Sequence, residues 1–302
     1  MFTDSHGRLQ PAWAFLLSAL LSCAAFIAIG YLAAALAGDH ILRFEAIFRP
    51  LLAISLLTSF SWLLSVANHV DAHRIAAQGL PLFPGWAKQF GAGCAIGSVL
   101  VMAAVIPIAI LGSLTFRTTL NLHSLPRIAV ALGVLLTGAL AEELMFRGYP
   151  FQRLVDATGP AGAIVVFSVL FGVVHLLNPG ASAWGLMNTI AIGVVLALAY
   201  LRTGALWLPW GLHFAWNLTL GLVLGLPVSG YRLFNVAVHA TARGPKWLTG
   251  GSYGIEAGAP CAIAILAGLI VLWRVPMKAP VAEPQPVPSH DHVNAVSPNS
   301  PN

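Results

Sequence analysis

The sequence predicts an all-α fold, a polytopic bundle of transmembrane helices. Of its 302 residues, 58% are hydrophobic and only 8% are charged, whereas soluble domains carry about 25% charged residues. The mean hydropathy is +0.83. The apolar residues are also grouped in long runs, and a run of about 18 or more with almost no charge is typical of a helix that crosses a bilayer. A water-soluble fold of this size could not cover its surface with so few charges.

Eight apolar segments are candidates for spanning helices, so the bundle is expected to have about eight. In chain order they cover residues 12–36, 45–67, 93–115, 127–148, 162–177, 184–202, 205–225 and 256–274. The fifth is short for a hydrocarbon core that needs about 20 helical residues, and we expect it to lie in the centre of the bundle, away from lipid. The seventh contains Pro209. Together they define one transmembrane domain, residues 1–278, followed by a Pro-, Ser- and Asn-rich tail, 279–302, expected to be disordered.

The net charge of +5 does not indicate a nucleic-acid partner. The basic residues stand singly between apolar runs and form no stripe or cluster of the kind that binds a phosphate backbone. Their expected position is beside lipid headgroups. The predicted partner is therefore the lipid bilayer, in which the protein is integral and multi-pass. Eight helices would divide the basic residues eight to seven between the two sides, so the orientation stays open.

Among the acids and histidines, four are unusual because they lie well inside the apolar segments. Glu142 and Glu143 are adjacent in the fourth segment, His175 lies in the fifth, and His213 lies in the seventh. A charged side chain in a bilayer helix costs about 2.5–3.5 kcal/mol on insertion scales. Such residues usually mark a functional site.

The spacing of these residues predicts that they converge. Residues four apart share a helix face, which pairs Glu143 with Arg147, Phe171 with His175, and His213 with Asn217. Glu142 points about 100° away from Glu143 and is free to enter a cavity while its neighbour forms an ion pair. A carboxylate, two imidazoles and a carboxamide from three helices can therefore meet in one polar cavity.

This set of side chains predicts hydrolytic chemistry. Glu142 can take a proton from a water molecule that His175 orients, and His213 and Asn217 can donate hydrogen bonds to the oxyanion formed when the water attacks an amide. A metal alternative stays open, because two histidines and one glutamate, here His175, His213 and Glu142, form a known catalytic zinc ligand set. The HExxH pattern typical of such sites on one helix is absent.

Several of these residues also have a purely structural interpretation. Glu143 and Arg147 can form an ion pair at a helix end, and Asn217 and Asn188 can act as hydrogen-bonding contacts between helices. A further group, Trp207, Trp210 and Trp216, is interpreted as interfacial anchors rather than as a substrate site.

Three motifs follow one another in the chain: Glu142-Glu143-x-x-x-Arg147, Phe171-x-x-x-His175 and His213-x-x-x-Asn217. In this order they resemble the three motifs of the CAAX prenyl protease and bacteriocin-processing family of intramembrane proteases. The stretch from Leu201 to Asn217 is similar to that family's third-motif region almost throughout. The resemblance covers the family core, residues 127–225 of this chain.

The resemblance implies an endopeptidase that hydrolyses a peptide bond at the membrane, the type reaction being removal of a C-terminal tripeptide after a prenylated cysteine. By the same resemblance, Glu142 activates the water with His175 as its partner, and His213 and Asn217 face the oxyanion. Glu143, Arg147 and Phe171 are expected to support them. The implied substrate is a protein or peptide, lipidated in the type reaction, and the implied location is the plasma (inner) membrane of a bacterium.

Two questions stay open from the sequence. Family members are described both as zinc metalloproteases and as glutamate proteases without a metal, so the resemblance leaves the cofactor undecided between Zn²⁺ and none. The same fold is also compatible with a non-proteolytic membrane interaction or immunity factor. A transporter with Glu142 and His175 as a proton relay is a third alternative.

Overall fold

Helices form most of the chain in the computed structural model, which describes residues 2–3, 9–68 and 74–274. The predicted disordered tail, 279–302, lies outside the described residues. Within them the α-helices are α1 (Pro11–Ala37), α2 (Ile41–Asn68), α3 (Arg74–Ala77), α4 (Trp86–Ile110), α5 (Leu125–Arg147), α6 (Tyr149–Val174), α7 (Ala183–Thr203), α8 (Trp207–Asn217), α9 (Lys246–Thr249) and α10 (Ala259–Arg274). Two short strands are β1 (Leu114–Thr118) and β2 (Val238–Ala242).

The prediction of a polytopic helical membrane bundle is confirmed, but the count of eight spanning helices is not. Each of the eight predicted segments lies largely on a helix. Five helical stretches of the described chain are long and apolar enough to cross a membrane: Pro11–Ala37, Ile41–Ser65, Trp86–Ile110, Leu125–Leu177 and Ala183–Thr203. The fourth stretch contains both α5 and α6. The seventh and eighth predicted segments correspond to shorter helices, α8 and α10.

The fifth predicted segment is not a central helix, and this expectation is wrong. It is only the second leg of α6, which begins at Tyr149 and is broken where Gly159, with φ of 80°, precedes Pro160. Val165, Val169 and Val173 on this leg are exposed, as expected for a lipid-facing surface. Because Gly159 interrupts the helix, the part of α6 that follows, residues 160–174, is itself short, in agreement with the short apolar run.

Glycines bring α4 and α8 into close contact. A Cβ atom built at Gly93 or Gly97 of α4 would collide with the carbonyl oxygen of Leu208 or Leu212 of α8, and one built at Gly211 of α8 would collide with the carbonyl oxygen of Phe90. Small residues at such interfaces let helix backbones approach in membranes. This contact fixes α8, which carries His213 and Asn217.

The proline in the seventh predicted segment does not break α8. Pro209 lies in the first turn of this helix, where its missing N–H group would have no helical partner anyway. Beyond Asn217 the chain continues as a π-helix, Leu218–Val223, a form that is often found at functional sites. The predicted seventh segment is thus an α-helix followed by a π-helix.

The three tryptophans of α8 are not interfacial anchors, contrary to the interpretation from the sequence. Trp207 and Trp216 are buried and Trp210 is half-buried. Each indole donates a hydrogen bond inside the bundle: Trp207 to the Pro81 carbonyl oxygen at 2.9 Å, Trp210 to the Leu136 carbonyl oxygen at 3.0 Å, and Trp216 to Glu256 Oε1 at 3.0 Å. A buried tryptophan normally satisfies its N–H in this way.

A two-stranded antiparallel ribbon joins two distant loops. β1 follows α4 and β2 follows the π-helix, and Phe116 pairs with Ala240 at the centre of the register. The loop after α4 and the loop after the π-helix are thereby held together, on the edge of the bundle.

Candidate active site

Three helices contribute the residues singled out from the sequence. Glu142 and Glu143 lie in the last turns of α5, and Arg147 is its final residue. The second element is α6, which carries Phe171 and ends just before His175, the first residue of a 3₁₀ turn. The third is α8, with His213 near its middle and Asn217 at its end.

Glu143 and Arg147 form a fully buried ion pair, as their spacing leads one to expect. Arg147 Nη1 lies 3.2 Å from Glu143 Oε1, and both side chains are 0% exposed. Arg147 also donates from Nη2 to the Gly193 carbonyl oxygen on α7 at 3.2 Å. Its guanidinium lies over the ring of Phe171, 4.4 Å from the centroid, a cation–π arrangement. The pair therefore ties α5 to α6 and α7.

Glu143 has a second partner, which the sequence did not reveal. Its Oε1 atom accepts a hydrogen bond from His213 Nδ1 at 2.8 Å. A carboxylate on one ring nitrogen fixes the orientation of an imidazole and the nitrogen through which it can act. Glu143 thus directs the opposite nitrogen of His213, Nε2, away from the ion pair.

Glu142 has a separate set of contacts. Its Oε1 atom accepts a hydrogen bond from Arg49 Nη1 of α2 at 2.7 Å. Its other oxygen, Oε2, lies 3.7 Å from His213 Nε2, which is longer than a direct hydrogen bond. One carboxylate oxygen is therefore anchored, and the second faces His213 across a short gap.

His175 is held from one side only. Its Nδ1 atom lies 2.6 Å from the carbonyl oxygen of Phe171. A carbonyl oxygen can only accept, so Nδ1 carries the proton, and Nε2 has a free lone pair when the ring is neutral. Within the described residues, no hydrogen bond joins His175 to Glu142.

A small cavity brings three of the four proposed catalytic residues together. His175, His213 and Asn217 line a volume of about 30 Å³, which is enough for one or two water molecules. Phe171, Trp216, Ser229 and Glu256 are among the other residues in its wall. Glu142 does not line this volume, but its Oε2 atom lies 3.7 Å from Nε2 of His213, which does.

Comparison with known proteins identifies the segment that contains these residues. Residues 124–219 match the family described as type II CAAX prenyl endopeptidase Rce1-like. The family resemblance is confirmed for this segment. The Rce1-like segment contains all three motifs and coincides with most of the family core predicted from the sequence.

Two curated relatives, both from Bacillus subtilis strain 168, are similar to part of the chain. "Uncharacterized protein YyaK" is 28% identical over 137 residues, which cover 44% of this chain and 43% of that protein. "Putative membrane peptidase YdiL" is 31% identical over 96 residues, which cover 32% of this chain and 37% of that protein. The chain therefore matches less than half the length of either relative. No solved structure matches.

Two ionisable residues at the site, Arg49 and Glu256, lie outside the Rce1-like segment, and the sequence did not reveal their roles. Arg49 belongs to α2, ninety-three positions before Glu142. Glu256 lies in the 3₁₀ turn before α10 and accepts hydrogen bonds from Trp216 Nε1 and from the backbone N–H of Ser229. No spacing rule connects either residue with the motifs, and only the fold brings Arg49 to Glu142 and Glu256 to the cavity.

Burial dominates the electrostatics of the loop around Glu256. It raises the pKa of the Glu256 carboxyl above its ordinary value, despite the two N–H donors, because a charged form is disfavoured away from water. The neighbouring phenol of Tyr253 has its pKa raised to about 12 by burial. Ser229, which clamps Glu256, has a φ of 45° and is the one non-glycine residue with positive φ in the described chain. Such strain clusters at functional sites.

The side chains do not fit a zinc ion as they are arranged. Within the described residues, no three His, Cys, Asp or Glu side chains are grouped so that they could hold a metal. Of the alternative ligands Glu142, His175 and His213, the glutamate is bound to the guanidinium of Arg49 at 2.7 Å, and a positive charge at that distance opposes a cation.

Proposed function

We propose that the protein is an intramembrane endopeptidase that hydrolyses a peptide bond with a water molecule activated by Glu142. The observation that carries this proposal is the common cavity of His175, His213 and Asn217 beside the free oxygen of Glu142. The cavity, of water size, is lined by two imidazoles with one nitrogen available each and by an amide donor. The carboxylate of Glu142 lies 3.7 Å from the Nε2 atom of one of these imidazoles, His213. The match of residues 124–219 to the Rce1-like family supports the same reaction class.

Glu142 is the proposed base. Its Oε2 atom takes a proton from the water, and the resulting hydroxide adds to the carbonyl carbon of the peptide bond. The same proton then passes to the leaving amine as the C–N bond breaks, which restores the carboxylate. The gap of 3.7 Å between Oε2 and His213 Nε2 is wide enough for a polar atom of a reactant to approach both groups.

His175 is the proposed partner that orients the water. Because its Nδ1 proton is bound by the Phe171 carbonyl oxygen, the neutral ring offers Nε2 as an acceptor for one O–H of the water. The other O–H can then point to the base. This division of roles follows from the hydrogen bond on Nδ1.

His213 and Asn217 are the proposed donors to the oxyanion. His213 donates through Nδ1 to Glu143, and a ring that also carries a proton on Nε2 can donate to a developing negative charge. Asn217 shares this face of α8 and offers the N–H donors of its carboxamide. Glu143, Arg147 and Phe171 act indirectly, by holding His213, α6 and α7 in position.

The proposed substrate is a protein or peptide that reaches the active site from the bilayer. By family resemblance, a prenylated C-terminal segment is the first candidate, and the Bacillus relatives favour a bacterial plasma membrane. Residues outside the three motifs give no further indication of the substrate.

The test is peptidase activity of the detergent-purified protein on matched prenylated and unprenylated peptides, with and without a strong chelator. We expect cleavage that survives chelation and falls by at least about 1,000-fold in Glu142→Gln and His175→Ala. The control is Asp156→Asn, which changes a half-exposed carboxylate on the same bundle and should retain full activity.

Two outcomes would contradict the proposal. Loss of activity on chelation, with recovery on adding Zn²⁺, would replace the metal-free mechanism by the metal alternative. Normal cellular function of both Glu142→Gln and His175→Ala would favour the non-proteolytic interaction or immunity role.

A further inference from the structure

Among the described residues, Arg49 is the arginine or lysine that forms an ion pair with the proposed base, and it lies outside the segment that matches the family. It extends from α2, which packs along α5, and its side chain is 27% exposed against 22% for Glu142. A partly exposed arginine on a membrane helix that has no ion-pair partner normally extends its charge to the lipid headgroups. Instead, Nη1 turns inward to Glu142 Oε1 at 2.7 Å.

Two further features hold Arg49 in this conformation. One turn earlier on α2, the buried residue Glu45 accepts a hydrogen bond from Arg49 Nε at 2.7 Å. Across the helix interface, Gly138 of α5 leaves room for the side chain, since a Cβ atom there would lie 3.2 Å from Arg49 Cδ. The guanidinium is therefore fixed by a carboxylate on its own helix and by a small residue on the opposite helix.

This contact gives the two carboxylate oxygens of Glu142 different roles. Arg49 binds Oε1, and Oε2 remains the oxygen that faces His213 Nε2. A carboxylate that rotated freely would present either oxygen in many directions, and a misplacement of about 1 Å can reduce a rate by about 100-fold. The forked guanidinium suits this task because it can bind two carboxylates in fixed directions, which a lysine ammonium cannot do.

We propose that Arg49 is a positioning residue of the reaction, which anchors Glu142 through Oε1 so that Oε2 faces the water. The inference rests on the proposed function. Arg49 contacts neither water nor substrate in this assignment and acts through Glu142 alone. Glu45 in turn orients Arg49.

The experiment compares steady-state cleavage by the full-length wild type and four variants in the same detergent. For Arg49→Met we expect kcat to fall about 100-fold with KM within about twofold of wild type, since orientation of the base affects the chemical step. Arg49→Lys should recover part of the loss, and Glu45→Gln should reduce kcat by less than about tenfold. The matched control is Arg43→Met, which removes an exposed arginine of the same helix and should leave kcat unchanged.

A further variant, in which Arg49 itself is unchanged, tests whether misfolding explains the loss of kcat in the Arg49 variants. In Gly138→Ala the new methyl group presses on the Arg49 side chain, so kcat should fall severalfold while the melting temperature stays within about 2 °C of wild type.

The outcomes separate this inference from the proposed function. If the wild type cleaves peptide but Arg49→Met has a kcat within twofold of it, the inference fails and the proposed function stands. The inference also fails if KM rises as much as kcat falls, or if Arg49→Lys is no better than Arg49→Met. A wild type without peptidase activity overturns both.

Discussion

At the scale of single residues, the two adjacent glutamates have different partners. Glu143 is buried with Arg147 and binds the imidazole of His213, whereas Glu142 is bound to Arg49 and keeps one oxygen free. Neighbours on a helix point about 100° apart, so one dipeptide can serve an ion pair on one side and a cavity on the other. The carboxylate of Glu143 is therefore held by two partners, whereas that of Glu142 keeps one oxygen available to a reactant.

Arg147→Met should destabilise the protein strongly. It would leave Glu143 with the imidazole of His213 as its remaining partner, and breaking a buried ion pair costs about 3–5 kcal/mol. Thermal or denaturant unfolding in detergent measures the loss. Arg153→Met is the matched control, because Arg153 forms a half-exposed pair with Asp156, and such pairs contribute about 1 kcal/mol or less. Equal losses in the two variants would contradict the structural role of the buried pair.

The carboxyl of Glu256 should make stability depend on pH. Because burial raises its folded-state pKa above the ordinary value of 4.5, its contribution to stability is fully present below that value and is lost as the pH rises through the folded-state pKa. We expect the melting temperature of the wild type to fall over this interval, and that of Glu256→Gln, which cannot titrate, to fall less. Parallel curves for the two proteins would show that Glu256 does not titrate there.

Only part of this site could be predicted from the residues. The contacts Glu143–Arg147 and Phe171–His175 follow from a spacing of four on one helix, which depends on local geometry alone. The contacts of Glu142 with Arg49 and of Trp216 with Glu256 join residues that are far apart in the chain. One sequence contains no rule for such pairs, because they depend on which helices pack together.

At the scale of elements, α8 owes its position to glycines on both partners. Gly93 and Gly97 of α4 and Gly211 of α8 remove the atoms that would separate the two backbones. The hydropathy of the sequence predicted both helices, but not that they touch. It also predicted the short second part of α6, residues 160–174, but not that a first helical part precedes it across the kink at Gly159.

Gly97→Ala should be destabilising although alanine is the better helix former. The added Cβ would collide with the carbonyl oxygen of Leu212, so α4 and α8 must separate, at a cost of about 1–3 kcal/mol for an overpacked contact. Gly91→Ala on the same helix has nothing within 4 Å of the new atom and should be neutral or stabilising by up to about 1 kcal/mol. The melting temperatures of the two variants test this prediction. A similar shift in both would argue against the close contact between α4 and α8.

At the scale of the whole molecule, the ribbon of β1 and β2 constrains the topology. An open two-stranded ribbon is not tolerated in the hydrocarbon core, because the unpaired backbone groups at its edges would lack partners. Both strands must therefore lie on one side of the bilayer. The orientation could not be predicted from the basic residues, since they are divided almost equally between the two sides, and neither strand was predicted.

Cysteines placed at two paired positions of the ribbon test this arrangement. Thr115 and Thr241 are exposed register partners. In a background with Cys23, Cys94 and Cys261 replaced by alanine, Thr115→Cys and Thr241→Cys should both react with a membrane-impermeant maleimide in intact cells, or both be protected until detergent is added. Reaction of one position and protection of the other would disprove the pairing.

The ribbon also determines that the number of bilayer crossings between β1 and β2 is even. A chain that leaves β1 and returns to β2 on the same face crosses the bilayer an even number of times in between. Three helical units are available: Leu125–Leu177, with its two helices, Ala183–Thr203, and α8 with the π-helix. If α5, α6 and α7 each cross the bilayer once, they make three crossings, which is an odd number. A fourth crossing, by α8, is then needed to bring the chain back to the side of β1. In that case His213 and Asn217 lie on a true crossing, and a re-entrant α8 that enters and leaves by the same face is excluded.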